Sequence, residues 1–332
     1  MTLEETNEHP YQALTPDLIL DALEGLGFRC DGRLLALNSY ENRVYQVGLE
    51  DTGPLVAKFY RPGRWSDAAI LEEHAFSHAL AEAELPVVAP LRDRDGATLH
   101  RFKGFRFSVS PGCGGRWREL DDPEHLAWMG RLIGRIHALG GIAGFQHRPT
   151  LTIENRGIQA YRYILENGFL PIDLEAAYDS LLEGLIPRIQ AIFDAAGPIK
   201  MIRLHGDCHL GNILWTDAGP HFVDFDDCCM GPAVQDLWMM LSGNRGQMAA
   251  QLSSLLDGYC EFFDFDGREI RLIEALRTLR MIHYSAWLAR RWSDPAFPAN
   301  FPWFNTQRYW EEQILSLKEQ MALLDEPPLP WH

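Results

Sequence analysis

Between residues 15 and 26 the apolar positions Leu18, Ile19, Ala22, Leu23 and Leu26 recur at spacings of three and four, behind Thr15-Pro16-Asp17. A hydroxyl side chain, then proline, then an acid is the order that opens a helix, and Gly27 closes it. From Arg33 the period shortens. Residues 34–37, 43–47 and 55–59 are short apolar runs broken by polar or Gly/Pro turns, which predicts strands of a small antiparallel sheet. Ser66 and Asp67 cap a helix to about Glu84, with Ile70, Phe76, Ala79 and Leu80 on its apolar face. Beyond Pro86 and Pro90, residues 98–102 and 105–109 predict two more strands.

After the turn-rich stretch 110–115, helical spacing dominates: residues 123–139, 155–167, 173–195, 232–242, 248–263, 268–292 and 307–324. Two apolar runs, 213–215 and 221–225, interrupt them as short strands. The fold class is therefore α+β and bilobal, with an antiparallel-sheet lobe over 1–110, including a leading helix, and a larger, mainly helical lobe over 111–332. Residues 1–12 are polar and are read as loose.

Composition narrows the function. The 332 residues are 46% hydrophobic and 23% charged, which is a globular balance. A net charge of -16 argues against a long polyanionic partner, so nucleic acid is not expected. Cys30, Cys113, Cys208, Cys228, Cys229 and Cys260 form no CxxC pair and are expected to be reduced thiols. No basic-then-apolar leader and no run of eighteen apolar residues occurs, so the expectation is a cytoplasmic protein that does not use a membrane. The late aromatic helices can bury their faces within one chain, and a monomer is expected.

The densest chemical signal is His205-Gly206-Asp207-Cys208-His209-Leu210-Gly211-Asn212, followed by a strand and Val223-Asp224-Phe225-Asp226-Asp227. Hard oxygen donors suit magnesium, so Asn212 and Asp224 are candidate metal ligands, and Asp207 is the candidate catalytic group that orients an incoming hydroxyl. Lys58, in Val-Ala-Lys-Phe on a predicted strand, can reach phosphates. His209, Asp226 and Asp227 are second-tier candidates that shape an acidic pocket.

This arrangement resembles the catalytic and metal-binding loops of the protein-kinase-like superfamily, in its aminoglycoside and choline phosphotransferase branch. Asp226 stands where protein kinases carry the glycine of Asp-Phe-Gly. The resemblance implies ATP as co-substrate and Mg2+ on its phosphates. It makes Asp207 the base or hydroxyl-positioning group and pairs Lys58 with a helix glutamate, Glu73 by spacing, with Glu72 the alternative. It also gives His205 a supporting role and makes Asp236 the buried aspartate that steadies the catalytic loop. The segment Asn38-Ser39-Tyr40-Glu41-Asn42 occupies the place of the phosphate-covering loop without its usual glycines, and Ser39 and Asn42 are its candidate phosphate contacts. Taken with residues 204–215, 231–238 and 292–303, this segment is similar to that of bacterial stress-response serine/threonine kinases, from about residue 14 to 328. That narrower resemblance implies phosphorylation of protein Ser or Thr, autophosphorylation with Ser39 as candidate acceptor, and a role in stress.

Three other readings compete. A small-molecule alcohol kinase of the aminoglycoside, choline or homoserine type uses the same fold. A metallohydrolase would use His205, Asp207 and His209 as ligands, but leaves Lys58 and Asn212 without a purpose. A noncatalytic pseudokinase scaffold would bind ATP without transfer.

Overall fold

The computed structural model describes residues 10–331 except Trp117, Glu119 and Asp121; most of the amino-terminal segment expected to be loose lies outside the described residues. The chain forms two compact units. The first runs through Arg116 and also takes in Leu214–Asp226 and Ser293–Ala296; the second comprises Trp117–Ile213, Asp227–Trp292 and Phe297–His332.

The first unit begins with α1 (Pro16–Glu24), whose N-cap is Thr15 and whose C-cap is Gly25, two residues before the expected stop. Five strands follow: β1 (Cys30–Ala36), β2 (Arg43–Leu49), β3 (Leu55–Phe59), β4 (His100–Phe102) and β5 (Phe105–Pro111). They form one antiparallel sheet in the order β1-β2-β3-β5-β4. In β3, Leu55, Ala57 and Phe59 are buried and alternate with Val56 and Lys58. The period of two puts the first set against α1, in a core shared by Ile19, Leu23, Val47, Phe107 and Val109. Lys58 thereby faces the other way. It sits opposite Val44 of β2 and Ser108 of β5.

On that other face lies α2 (Asp67–Glu82), capped by Ser66 as its sequence predicts. Ile70, Glu73, Phe76, Ser77 and Leu80 are its buried side, so the row that anchors the helix also carries one carboxylate inward. Two short strands, β7 (Ile213–Thr216) and β8 (Gly219–Phe222), pair with each other.

In the second unit, α3 (Pro123–Gly140) and α7 (Arg245–Tyr259) pack closely. Gly130 and Gly258 make this possible: a Cβ on Gly130 would strike the Leu255 carbonyl oxygen, and one on Gly258 that of Ala127. A second core joins α5 (Ile172–Ala196), α8 (Ile273–Ala289) and α10 (Gln307–Leu324) through Tyr178, Leu182, Leu279, Ile282, Trp310 and Leu317.

Several elements depart from the sequence expectation. The helix expected over 155–167 opens as a π-helical turn, Glu154–Ile158, before α4 (Gln159–Glu166), and the one expected over 268–292 opens as a 3-10 turn, Gly267–Leu272. The helix expected over 232–242 is only α6 (Val234–Trp238). Two three-residue strands were not foreseen, β6 (Ile202–Leu204) and β9 (Cys229–Gly231), which pair antiparallel and bracket the polar motif. A further short helix is α9 (Ala296–Asn300). No helix among the described residues is long and apolar enough to cross a membrane.

Candidate active site

In the first unit, Lys58 is met by three carboxylates. Its Nζ lies 3.4 Å from Glu73 Oε1, 3.1 Å from Asp224 Oδ1 and 3.0 Å from Asp226 Oδ1. Burial alone would drive the ammonium to lose its proton, but the charges of Asp226, Glu73 and Asp224 outweigh it and hold the pKa well above the ordinary lysine value. Lys58 is therefore a fixed positive charge. The pairing also distinguishes the two α2 candidates: Glu73, not Glu72, meets the lysine in this structure.

Asp224 and Asp226 differ sharply in environment. Asp224 is half-exposed and sits at a left-handed φ of 61°, a conformation aspartate tolerates better than most residues, so its carboxylate stays open to a ligand. Asp226 is buried, bonded to Arg64 as well as Lys58. Arg64 was not anticipated: it stands alone in a turn, and only the fold brings it to Asp226.

The loop 38–42 is held from beneath. Asn42 is buried and its Oδ1 accepts the Arg61 backbone N–H at 3.1 Å, so its carboxamide oxygen is spent within the protein. Ser39 Oγ donates to the Asn42 carbonyl at 3.2 Å. Arg61 donates from Nε to the Glu41 carbonyl at 3.0 Å and from Nη2 to Asp294 Oδ2 at 2.6 Å, and Arg43 reaches both Asp294 oxygens at 3.3 Å. A loop without glycines is thus fixed by buried ion pairs.

In the second unit the polar motif follows β6. Asp236, buried on α6, accepts the backbone N–H of His205 at 2.7 Å and of Gly206 at 2.9 Å, and lies 3.1 Å from His137 Nε2. The other ring nitrogen, His137 Nδ1, lies 2.9 Å from the Tyr259 hydroxyl. Gly206 has φ +85°, and a Cβ there would strike the Asp227 carbonyl oxygen. Only glycine makes this turn. Asp227 thus bears on the motif through its backbone, and His205 is buried beneath it.

Asp207 then emerges with three partners. Arg280 Nη1 donates to its Oδ1 at 2.6 Å and His209 Nε2 lies 3.3 Å from its Oδ2. Gly211 N–H donates to His209 Nδ1 at 2.9 Å, which leaves the proton on Nε2, aimed at Asp207. Burial opposes the charged carboxylate, but the His209 hydrogen bond and the Arg280 charge overcome it and hold Asp207 well below the usual carboxylate range. Such a group orients a hydroxyl better than it removes a proton. Asn212 Nδ2 donates to the Asp207 carbonyl at 3.0 Å, which fixes the amide orientation and leaves Asn212 Oδ1 without a hydrogen-bond donor among the described residues. That free oxygen and the open Asp224 carboxylate are hard donors of the kind magnesium takes. Among the described residues no group of three or more His, Cys, Asp or Glu is arranged to hold a metal ion, which leaves the His205, Asp207 and His209 metallohydrolase set without support.

Comparison with known proteins bears on this chemistry. The chain is 46% identical over 319 residues to stress response kinase A of Escherichia coli K12, covering 96% of each protein. It is 42% identical over 323 residues to the serine/threonine protein kinase RdoA of Salmonella typhimurium, covering 97% of each. Among solved structures it resembles amicoumacin kinase hAmiN in complex with AMP-PNP, Ca2+ and Ami, with a TM-score of 0.71 at 16% identity over 95% of this chain and 96% of that one. A microcompartment-associated aminopropanol kinase gives 0.68 at 17% identity, over 92% and 98%. Residues 33–273 match the sequence profile described as the phosphotransferase enzyme family. A lysine held between carboxylates in a five-stranded unit and an aspartate-asparagine loop in a helical one are what that match covers, and the chain belongs to the phosphotransferase enzyme family, with the kinase-like fold of its members.

Proposed function

We propose that this phosphotransferase is an ATP- and magnesium-dependent serine/threonine protein kinase acting in the cytoplasm as a monomer, in a stress response. The observation that carries the reading is full-length identity of 42–46% to proteins named as a stress response kinase and as a serine/threonine protein kinase. Lys58, locked in its charged state, attracts the donor phosphates, and Glu73 fixes its direction. Asn212 and Asp224 would hold magnesium, which when bound neutralises phosphate charge. Asp207 accepts the hydrogen bond of the acceptor hydroxyl and aligns it; a strongly basic group is not needed, because phosphoryl transfer asks mainly for positioning and electrostatics. Ser39 is the candidate site of autophosphorylation, and its hydroxyl donates to the loop backbone until it is used.

A second reading has its own observation: the solved structures of similar fold carry names of kinases acting on small molecules. The test is transfer from gamma-labelled ATP to protein substrates and to a pool of small alcohols, by wild type and by Asp207→Asn. Label on Ser or Thr from wild type but not from the variant supports the proposal. Label confined to a small alcohol makes the second reading the correct one.

A further inference from the structure

The catalytic loop of this acidic chain is overlooked by a row of arginines. On α8 and its cap, residues 280, 283, 287 and 290 fall on a face about 80° wide at 100° per residue, and Arg291 follows the cap. Arg280 begins the row, bonded to Asp207. Arg290 ends it with Arg291; the Arg290 Nη2 donates to the Gln159 carbonyl at 3.3 Å and its guanidinium lies 5.0 Å from the Tyr163 ring centroid. Arg291 Nη1 donates to the Trp287 carbonyl at 3.0 Å. Arg156, on the π-helical turn that packs against α8, adds a fourth guanidinium.

Three facts mark Arg156, Arg290 and His283 as the open part of this cluster. Among the described residues neither Arg156 nor Arg290 has a carboxylate within ion-pair distance, although the chain carries 46 acidic residues. His283, in the middle of the row, has a buried Nδ1 with no hydrogen-bond partner among them. Its burial, followed by the charges of Arg156, Arg290, Arg291 and Arg280, pushes its pKa well below the ordinary histidine value, so all four guanidiniums are near enough to act on one ring. Arg156 and Arg290, gathered near other guanidiniums with no carboxylate of their own, are repelled by them, and an anion relieves that repulsion.

The length of the row selects the kind of anion. From Arg280 to Arg290 is ten residues of helix, about 15 Å, too long for one small alcohol. An extended peptide advances about 3.3 Å per residue, so the row spans four to five residues of a bound segment. One end is fixed at the group that orients the acceptor hydroxyl.

We propose that Arg280, Arg290, Arg291 and Arg156 form an acceptor-docking subsite for an anionic protein segment, one with acidic or phosphorylated side chains within about five residues of the acceptor Ser or Thr. This rests on the protein-kinase reading above. Guanidiniums suit both carboxylate and phosphate through their paired N–H groups. Arg280 links subsite to chemistry, since an anion that draws it away leaves Asp207 Oδ1 free for the hydroxyl.

The test measures kcat/KM for serine peptides that differ only three to five residues from the acceptor, on either side: aspartate, phosphoserine, alanine or lysine. Wild type, Arg290→Glu, Arg156→Glu and the milder Arg290→Gln are compared at low and high salt. We expect at least a tenfold preference for an anionic flank over lysine, weakened by salt, reversed or levelled by charge reversal and reduced by Arg290→Gln. The aspartate and phosphoserine arms decide which anion is preferred. Peptides phosphorylated without charge preference, or with a preference that the variants leave unchanged, overturn the subsite alone. Labelling of a small alcohol with no Ser or Thr peptide labelled overturns the protein-kinase reading and the subsite with it.

Discussion

Asp236 holds the catalytic loop by accepting from two buried backbone N–H groups and meeting the His137 ring. Asp236→Ala leaves three donors facing a small cavity. Each buried donor without a partner costs about 1–3 kcal/mol, and partial relaxation around the gap brings the expected loss to about 3–5 kcal/mol. Asp236→Asn keeps one oxygen. Placed at the Oδ2 position it still serves His205 and His137, but the amide NH2 then faces the Gly206 N–H, 2.9 Å away in the wild type, and about 1.5–3 kcal/mol is lost. The order of stability is therefore wild type, asparagine, alanine. Because Asp207 follows this anchored turn, a shift of about 1 Å should also cost on the order of a hundredfold in kcat. Urea unfolding followed by tryptophan fluorescence, with phosphoryl transfer measured on the folded fraction, tests both parts. An alanine variant within 1 kcal/mol of wild type and equal in kcat would refute the reasoning.

Gly206→Ala should fail to reach the native loop, because φ +85° and the Asp227 carbonyl both exclude a Cβ; a folded variant with wild-type transfer would contradict the geometry. Lys58→Met removes the charge from among three carboxylates and should abolish transfer with a large rise in the ATP Kd, read by nucleotide titration; unchanged affinity would remove Lys58 from phosphate binding. Glu269 is pushed up to about 7, first by burial, so its folded pKa exceeds its unfolded one of about 4.5. Its favourable contribution is complete below pH 4.5 and is lost as pH rises through 7, about 3 kcal/mol in all. Glu269→Gln, whose carbonyl can still accept from Val234 N–H, should gain on wild type by that amount between pH 5 and 8 in parallel denaturation curves. A constant difference between the two proteins across that range would count against the assignment.

What could be read from the sequence was whatever is local. Thr15 and Ser66 each cap the helix they precede, because an N-cap needs only a hydroxyl and the next three residues. The apolar run 55–59 put Lys58 on a strand, which is where the structure has it. What escaped is whatever depends on distant pairing. β6 and β9 are three residues each and are defined only by each other, across 24 intervening positions. Arg280 is 73 residues from Asp207, and nothing in its neighbourhood distinguishes it from other helix arginines. That the oxygen of Asn42, a candidate phosphate contact, also takes the Arg61 N–H depends on a residue 19 positions on, two past the end of β3.

The Asp294 strap sets an order of events during synthesis. The first unit is not complete at Arg116, since it needs Leu214–Asp226 and then Ser293–Ala296. Until residue 294 has been added, Arg61 and Arg43 lack their shared carboxylate, and Lys58 waits until residue 226 for Asp224 and Asp226. At about 5–20 residues per second, the 180 residues between 116 and 296 take roughly 10–40 s. The nascent sheet spends that interval with Lys58 held by Glu73 alone and Arg61 by Glu41 without Asp294, so the phosphate-binding half reaches its full set of ion pairs only after Ala296 has been added.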